Sequence, residues 1–369
     1  MIDPGADPNV RVFGSPHRYY QGPDALNRLP ALCAGIGSKP LLVVDAGVLA
    51  LLEGRLEKLF AGRAHGIASF QGEVTINAID ALAKKAGTER CDLIVGMGGG
   101  KALDAGKGCA IRARLRFVSV PTVASNDSPT ATALAIYDDR HRIVAVESLD
   151  RNPEAVVVDT RLIAAAPPRF LLAGMGDAIA KKFEGEASQR HGGRNAHHSH
   201  ALRTAGYIAD GCYRTIREFG IAAMAAAGVS VPNEALEAVV EANILMAGLG
   251  FENMGLGIAH GLARGLVRVP GISDAPHGFH IAYGTLVLLA AEGRPDAFIQ
   301  DLLDFYGAVG LPRSLAELGM TGIDPDVLRG IATSSVIAPE GAYLLMPVGA
   351  DALVAAMEDI ERFQFDRSQ

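Results

Sequence analysis

Between residues 40 and 160 the chain alternates short apolar runs with longer stretches of helical spacing, and this alternation restricts the fold more than any other feature. PLLVVD at 40–45, LIVGMG at 93–98, FVSVP at 117–121 and AVVVDT at 155–160 are runs of strand length, rich in Val, Ile and Leu. A strand that is apolar at nearly every position is covered on both faces, as in a parallel sheet flanked by helices. The intervening VLALLEGRLEKLF and INAIDALAKKAG read as those helices. The prediction is a doubly wound α/β layout of the nucleotide-binding kind.

Pro167 and Pro168 mark a change of character. Beyond them long amphipathic or Ala-rich stretches dominate, such as NEALEAVVEANILMAGLG, with no β-rich run, which predicts an all-helical second half. A chain of 369 residues suits two domains, drawn here as 1–166 and 167–369. The net charge of -7, with no Lys/Arg run, argues against nucleic-acid binding. No uncharged apolar run reaches the ~18 residues of a membrane span, and the N-terminus lacks the pattern of a signal peptide. Cys33, Cys91, Cys109 and Cys212 lie far apart without a C-x-x-C pair, so reduced thiols and a cytoplasmic location are expected.

Two groups of residues carry chemistry. LIVGMG runs directly into Gly98-Gly99-Gly100-Lys101 and then into a helix, so backbone N–H groups and a helix N-terminus can meet a diphosphate. The spacing is neither G-x-G-x-x-G nor a P-loop, and a plain tight turn is the competing reading. Asp45, ending the first apolar run, suits a ribose-hydroxyl acceptor, which favours NAD over NADP; a helix cap is the alternative. The second group is Asp177, His260 and His277, one carboxylate and two imidazoles that together would leave an open position on zinc or ferrous iron. They are far apart in sequence, so spacing alone does not separate a metal site from satisfied core residues.

The segments HRYYQGPDALNRL, GMGGGKALDAGK, VPTVASNDSPTATALAIY, APPRFLLAGMGDAIAKKFE, GFENMGLGIAHGL and HGFHIAYGTL change the balance. In this order they resemble glycerol dehydrogenases and their relatives in the iron-containing alcohol dehydrogenase superfamily. The resemblance implies an α/β nucleotide-binding domain followed by a helical domain, with the active site in the cleft between them. It implies a metal-dependent NAD(P)-linked oxidoreductase that interconverts a small secondary alcohol and its ketone, acting as a homo-oligomer. It also implies that Asp177, His260 and His277 are the metal ligands, with zinc ahead of ferrous iron, and that Asp127 faces the substrate hydroxyls. Gly98, Gly99, Gly100, Lys101, Asp104, Thr122, Ser125 and Tyr137 fall on cofactor positions.

Some positions depart from the pattern. Lys181 follows Asp177 by one helical turn, where iron-dependent relatives carry a fourth ligand, His. A lysine there is expected either to pair with a substrate carboxylate or phosphate or to extend to solvent. Ala263, Arg264 and Gly265 replace the family's HNG, and Arg264 is a second candidate anion contact. These changes keep open a hydroxycarboxylate or glycerol-phosphate dehydrogenase, and more remotely a sugar-phosphate cyclase resembling dehydroquinate synthase. HGGRNAHHSH at 191–200 is expected to be an exposed loop, and His280 a pocket residue rather than a ligand.

Overall fold

The computed structural model describes residues 9–52, 54–138, 143–229, 231–337 and 344–365. In the first half the elements are β1 (Tyr19–Gly22), α1 (Leu29–Ala34), β2 (Pro40–Asp45), α2 (Ala46–Leu51), α3 (Arg55–Leu59), β3 (Gly66–Phe70), α4 (Ile76–Thr88), β4 (Leu93–Gly98), α5 (Gly100–Ala113), β5 (Arg116–Pro121), β6 (Ala133–Tyr137), β7 (Ile143–Ser148) and β8 (Ala155–Asp159). Helices alone follow: α6 (Thr160–Ala165), α7 (Pro168–Arg190), α8 (Arg203–Met224), α9 (Glu234–Glu241), α10 (Ala247–Met254), α11 (Ile258–Leu266), α12 (His277–Ala291), α13 (Asp296–Val309), α14 (Pro325–Ser335) and α15 (Ala350–Phe365).

Six strands form one parallel sheet in the order β1-β8-β5-β4-β2-β3. Its residues alternate between two cores, as period-two geometry requires. Leu41, Val43 and Ile94 pack against Ile79 and Leu82 of α4 and Ala105 and Cys109 of α5. Leu42, Val44 and Val95 face the other way, onto Leu29 of α1 and Leu56 of α3. The sheet is therefore covered on both faces. A larger core, with Phe183, Leu286 and Leu302 among its buried members, fills the helical half.

Three details differ from the sequence reading. VLALLEGRLEKLF does not form one helix: Gly54, at φ 68°, adopts a left-handed conformation and separates α2 from α3. GIASF forms β3 at the sheet edge, a short strand with too few large apolar residues to stand out. Residues 133–137 and 143–148 form a separate antiparallel pair, β6–β7, whose second strand is largely exposed and so carries no buried apolar run. No helix among the described residues is long and apolar enough to cross a membrane.

Candidate active site

The site begins with helices that pack unusually closely. A Cβ added to Gly278 on α12 would sit 1.8 Å from the Ala173 carbonyl oxygen of α7. Without a side chain at this crossing, Asp177 of α7 and His277 at the start of α12 become neighbours, and α11 adds His260. The donor atoms of Asp177, His260 and His277 all lie within 4.8 Å of one another. They form the one such grouping of His, Cys, Asp or Glu found among the described residues, and the histidine-rich loop at 191–200 forms none.

Asp177 is 1% exposed, and its Oδ2 has no hydrogen-bond partner among the described residues. A bare buried carboxylate oxygen is costly, and a cation relieves it. One carboxylate and two imidazoles suit zinc or ferrous iron, so the residues present fit a divalent metal. His277 opens onto the cleft, and burial among its other neighbours depresses its imidazole pKa, which favours the neutral form that can donate a lone pair.

Lys181 lies among the same donors. Its Nζ is 2.8 Å from Asp177 Oδ1, 2.8 Å from Asp127 Oδ2 and 3.1 Å from His260 Nε2. One expectation for this side chain gives way: it is 1% exposed, so it does not extend to solvent. Its ammonium instead faces two carboxylates of the protein, Asp127 and Asp177. Burial opposes the charged form, but Asp127 and Asp177 outweigh it and hold the lysine well above its ordinary pKa. Burial likewise pushes Asp177 upward, and Lys181 and His260 reverse that to leave it far below the carboxylate range. Asp127 remains raised, because burial outweighs the ammonium beside it.

The sequence reading missed Glu184. Its Oε2 is 2.5 Å from His260 Nδ1, while its Oε1 accepts hydrogen bonds from the backbone N–H of Gly257 at 3.0 Å and His260 at 2.9 Å. This anchors the imidazole and leaves Nε2 facing the other donors, as outer partners of metal-binding histidines do. Burial acts against the His260 charge, but Glu184 prevails and lifts its pKa to about 9. The available signal was Glu184's position two helical turns after Asp177, on the same face of α7.

Asp127 sits on the loop between β5 and β6, held from the helical half. Thr130 Oγ1 donates to the Ile244 carbonyl at 3.0 Å, and Asn243 Nδ2 donates to the carbonyls of Ala124 at 3.1 Å and Leu171 at 3.0 Å. Asn243 and Ile244 belong to a π-helical turn, Ala242–Met246, between α9 and α10. A widened turn re-aims side chains locally, and such turns often adjoin functional sites.

The glycine turn lies at the strand ends where the sheet order reverses, between β2 and β4, which is where doubly wound sheets bind nucleotides. Gly98 has φ 147°, and a Cβ there would come within 2.8 Å of the Asp45 Cβ and 2.7 Å of the Ala102 Cβ. Asp45 caps α2, with Oδ1 accepting from Gly47 N at 2.9 Å and Val48 N at 3.2 Å. Thr122 N donates to the Gly98 carbonyl at 3.1 Å, and Lys101 pairs with Glu73. Asp104 accepts from Ser128 Oγ at 2.7 Å and Ala135 N at 3.2 Å, so it braces the Asp127 loop and the β6–β7 pair. Burial raises the Tyr137 hydroxyl to about 12.

A cleft of about 490 Å³ joins the two groups of residues. Gly100, Lys101, Asp104, Tyr137, Asp127, His260 and His277 line it, together with Arg264 and His280. Asp45, Gly98, Gly99, Thr122 and Ser125 are outside its lining, as are the buried Asp177 and Lys181.

The model of the family "Iron-containing alcohol dehydrogenase" matches residues 16–160. A glycerol dehydrogenase of Escherichia coli O6:H1 is 38% identical over 351 residues, covering 94% of this chain and 95% of that protein. A glycolaldehyde reductase of Halobacterium salinarum is 35% identical, covering 94% and 97%. The structure of a probable glycerol dehydrogenase from Sinorhizobium meliloti 1021 superposes with a TM-score of 0.88 at 33% identity, covering 96% of this chain and 99% of that one. The chain belongs to the iron-containing alcohol dehydrogenase family and is an oxidoreductase of its glycerol dehydrogenase-like branch.

Proposed function

We propose that this protein interconverts a small secondary alcohol of the glycerol type and its ketone in the cleft beside Asp177, His260 and His277, with NAD as hydride carrier. The observation that carries the reading is the convergence of these three donors within 4.8 Å, with His260 and His277 lining a cleft that also reaches Gly100 of the glycine turn. A divalent cation bound there, zinc ahead of ferrous iron, would supply Lewis-acid activation of the alcohol oxygen, and NAD would accept the hydride.

The chain's own residues have distinct roles in this reading. Glu184 holds the His260 ring so that Nε2 faces the substrate side. Lys181 offsets the charge of Asp127 and Asp177, which allows both carboxylates to stay in a buried site. Asp127, 17% exposed, orients a substrate hydroxyl and helps route its proton. The N-terminus of α5 and its glycines cradle the cofactor diphosphate, with Lys101, Asp104, Thr122, Ser125 and Tyr137 around it. Asp45 selects NAD, because a carboxylate at the end of β2 repels a 2′-phosphate. We divide the chain into a cofactor domain, 1–166, and a metal and substrate domain, 167–369. Four buried free thiols fit a reducing cytoplasm, and we assign the protein there as a homo-oligomer.

The test is reduced-nicotinamide absorbance with a panel of small alcohols and their carbonyl partners. Chelation should abolish turnover, and added zinc or ferrous iron should restore it. Replacing His277 with Ala should remove both the bound metal and the activity. Full activity in metal-stripped protein, or in the His277→Ala variant, would overturn the reading.

A further inference from the structure

Arg264 carries a cation on the cleft wall without a matching anion among the described residues. It follows His260 by one turn of α11, on the same face and about 6 Å away between Cβ atoms, and it lines the cleft together with Asp127, His260 and His277. Among the described residues its guanidinium makes one hydrogen bond, donated to the Ile337 carbonyl at 2.8 Å. Arginine has five N–H donors, so most of its capacity remains available. The charged neighbour that acts on it is not an acid but Arg268, which lies just past the C-terminal end of α11. Arg268 in turn donates to the Ser334 hydroxyl at 3.4 Å.

The other cations near the cleft are engaged. Lys181 is held by Asp127 and Asp177, and Lys101 by Glu73. Lys107 is fully buried against Asp104, Ser128 Oγ and the Ala133 carbonyl. Arg264 thus places a positive charge without a carboxylate partner, among the described residues, on the cleft wall of a protein whose net charge is -7. A positive wall beside a concave site attracts and orients anions, and a guanidinium fork matches the two oxygens of a carboxylate or phosphate. His280 adds a complementary feature. Its Nε2 faces the Ile272 carbonyl at 2.9 Å, which makes Nε2 the protonated nitrogen. Its buried Nδ1 is then an acceptor with no partner among the described residues, suited to a hydroxyl.

We propose that Arg264 is a specificity-determining residue and that the substrate, a small secondary alcohol of the glycerol type, carries an oxyanion, carboxylate or phosphate, close to the reacting carbinol. The cleft of about 490 Å³ must also admit the nicotinamide, so the substrate has only a few carbons. The carbinol carbon gives hydride to NAD, its hydroxyl loses a proton, and the oxyanion stays intact against Arg264. This inference rests on the reading that Asp177, His260 and His277 mark the reacting centre.

The experiment compares kcat/KM of metal-loaded wild type, Arg264→Gln and Arg264→Lys for glycerate, lactate, glycerol phosphate, glycerol and 1,2-propanediol. In parallel, malonate and inorganic phosphate serve as unreactive probes, read by the thermal midpoint of the NAD-loaded protein. Wild type should prefer an anionic substrate, with the hydroxy acids and glycerol phosphate separating carboxylate from phosphate. Arg264→Gln should lower the anionic-to-neutral preference about 10- to 100-fold, mainly through KM, the range for losing a charge-assisted bond. Arg264→Lys should recover part of it, and the matching unreactive anion should stabilise wild type but not Arg264→Gln. Preference for the neutral diols in wild type, unchanged by Arg264→Gln, would overturn the inference and leave the proposed function standing. Failure to turn over any compound would count against the function itself, and the probe-anion shift would still decide the role of Arg264.

Discussion

Lys181 shows how one side chain sets the electrostatics of the site. Asp127, Asp177 and Glu184 carry three negative charges, and Lys181 offsets one, so a divalent cation completes neutrality. The ammonium also contacts Asp177 Oδ1 and His260 Nε2, atoms that a metal would share. Two opposing results follow for Lys181→Ala. Metal-free protein should lose ~3–5 kcal/mol of stability, because two buried carboxylates are left facing each other. Zinc affinity, measured by calorimetry, should rise, and saturating zinc should recover most of the lost thermal midpoint. Unchanged stability without metal would mean that the ion pair holds nothing together. The alphabet at this position was readable, since a lysine one turn after Asp177 shares its face. Its engagement with Asp127 was not, because Asp127 lies on a loop more than fifty residues earlier.

At the scale of elements, the site depends on how closely α7, α11 and α12 approach. Gly278 permits the α7–α12 crossing, where an added methyl would overlap the Ala173 carbonyl oxygen at 1.8 Å. Gly278→Ala should push α12 away from α7 and separate His277 from Asp177. The expected cost is ~1–3 kcal/mol or more from overpacking, with reduced zinc affinity at a normal far-ultraviolet helix signal. Tight zinc binding in that variant would show that the crossing does not set the ligand geometry. The main strands were legible because buried parallel strands are continuously apolar, as in PLLVVD and LIVGMG. The β6–β7 pair was not, because an exposed antiparallel strand such as Ile143–Ser148 buries too little to leave that pattern.

Across the whole molecule, the cleft depends on bonds between the strand-rich half and the helical half. Glu252 of α10 is 1% exposed and accepts from both the backbone N–H of Thr132, at 3.2 Å, and its hydroxyl, at 2.7 Å. Asn152 Nδ2 donates to it as well. Glu252→Ala would leave these donors unsatisfied, at ~1–3 kcal/mol each where water cannot reach. It should lower the thermal midpoint and raise KM for both cofactor and substrate while metal stoichiometry stays at wild-type level. Unaltered KM values would mean that the two halves keep their registry without this bond.

The covalent chain alone was enough for the alternation of strands and helices, the helical second half and the glycine turn, because these follow from local periodicity and from residues a few positions apart. It also contained the motif order that marks the family. Folding in three dimensions decided what those residues meet. It brought Glu184 behind His260, enclosed Lys181 between two carboxylates, and left Arg264 on the cleft wall without an acidic partner among the described residues. A buried charge has its properties set by neighbours within a few ångströms, and here those neighbours come from α7, α11, α12 and the loop after β5, elements far apart in sequence.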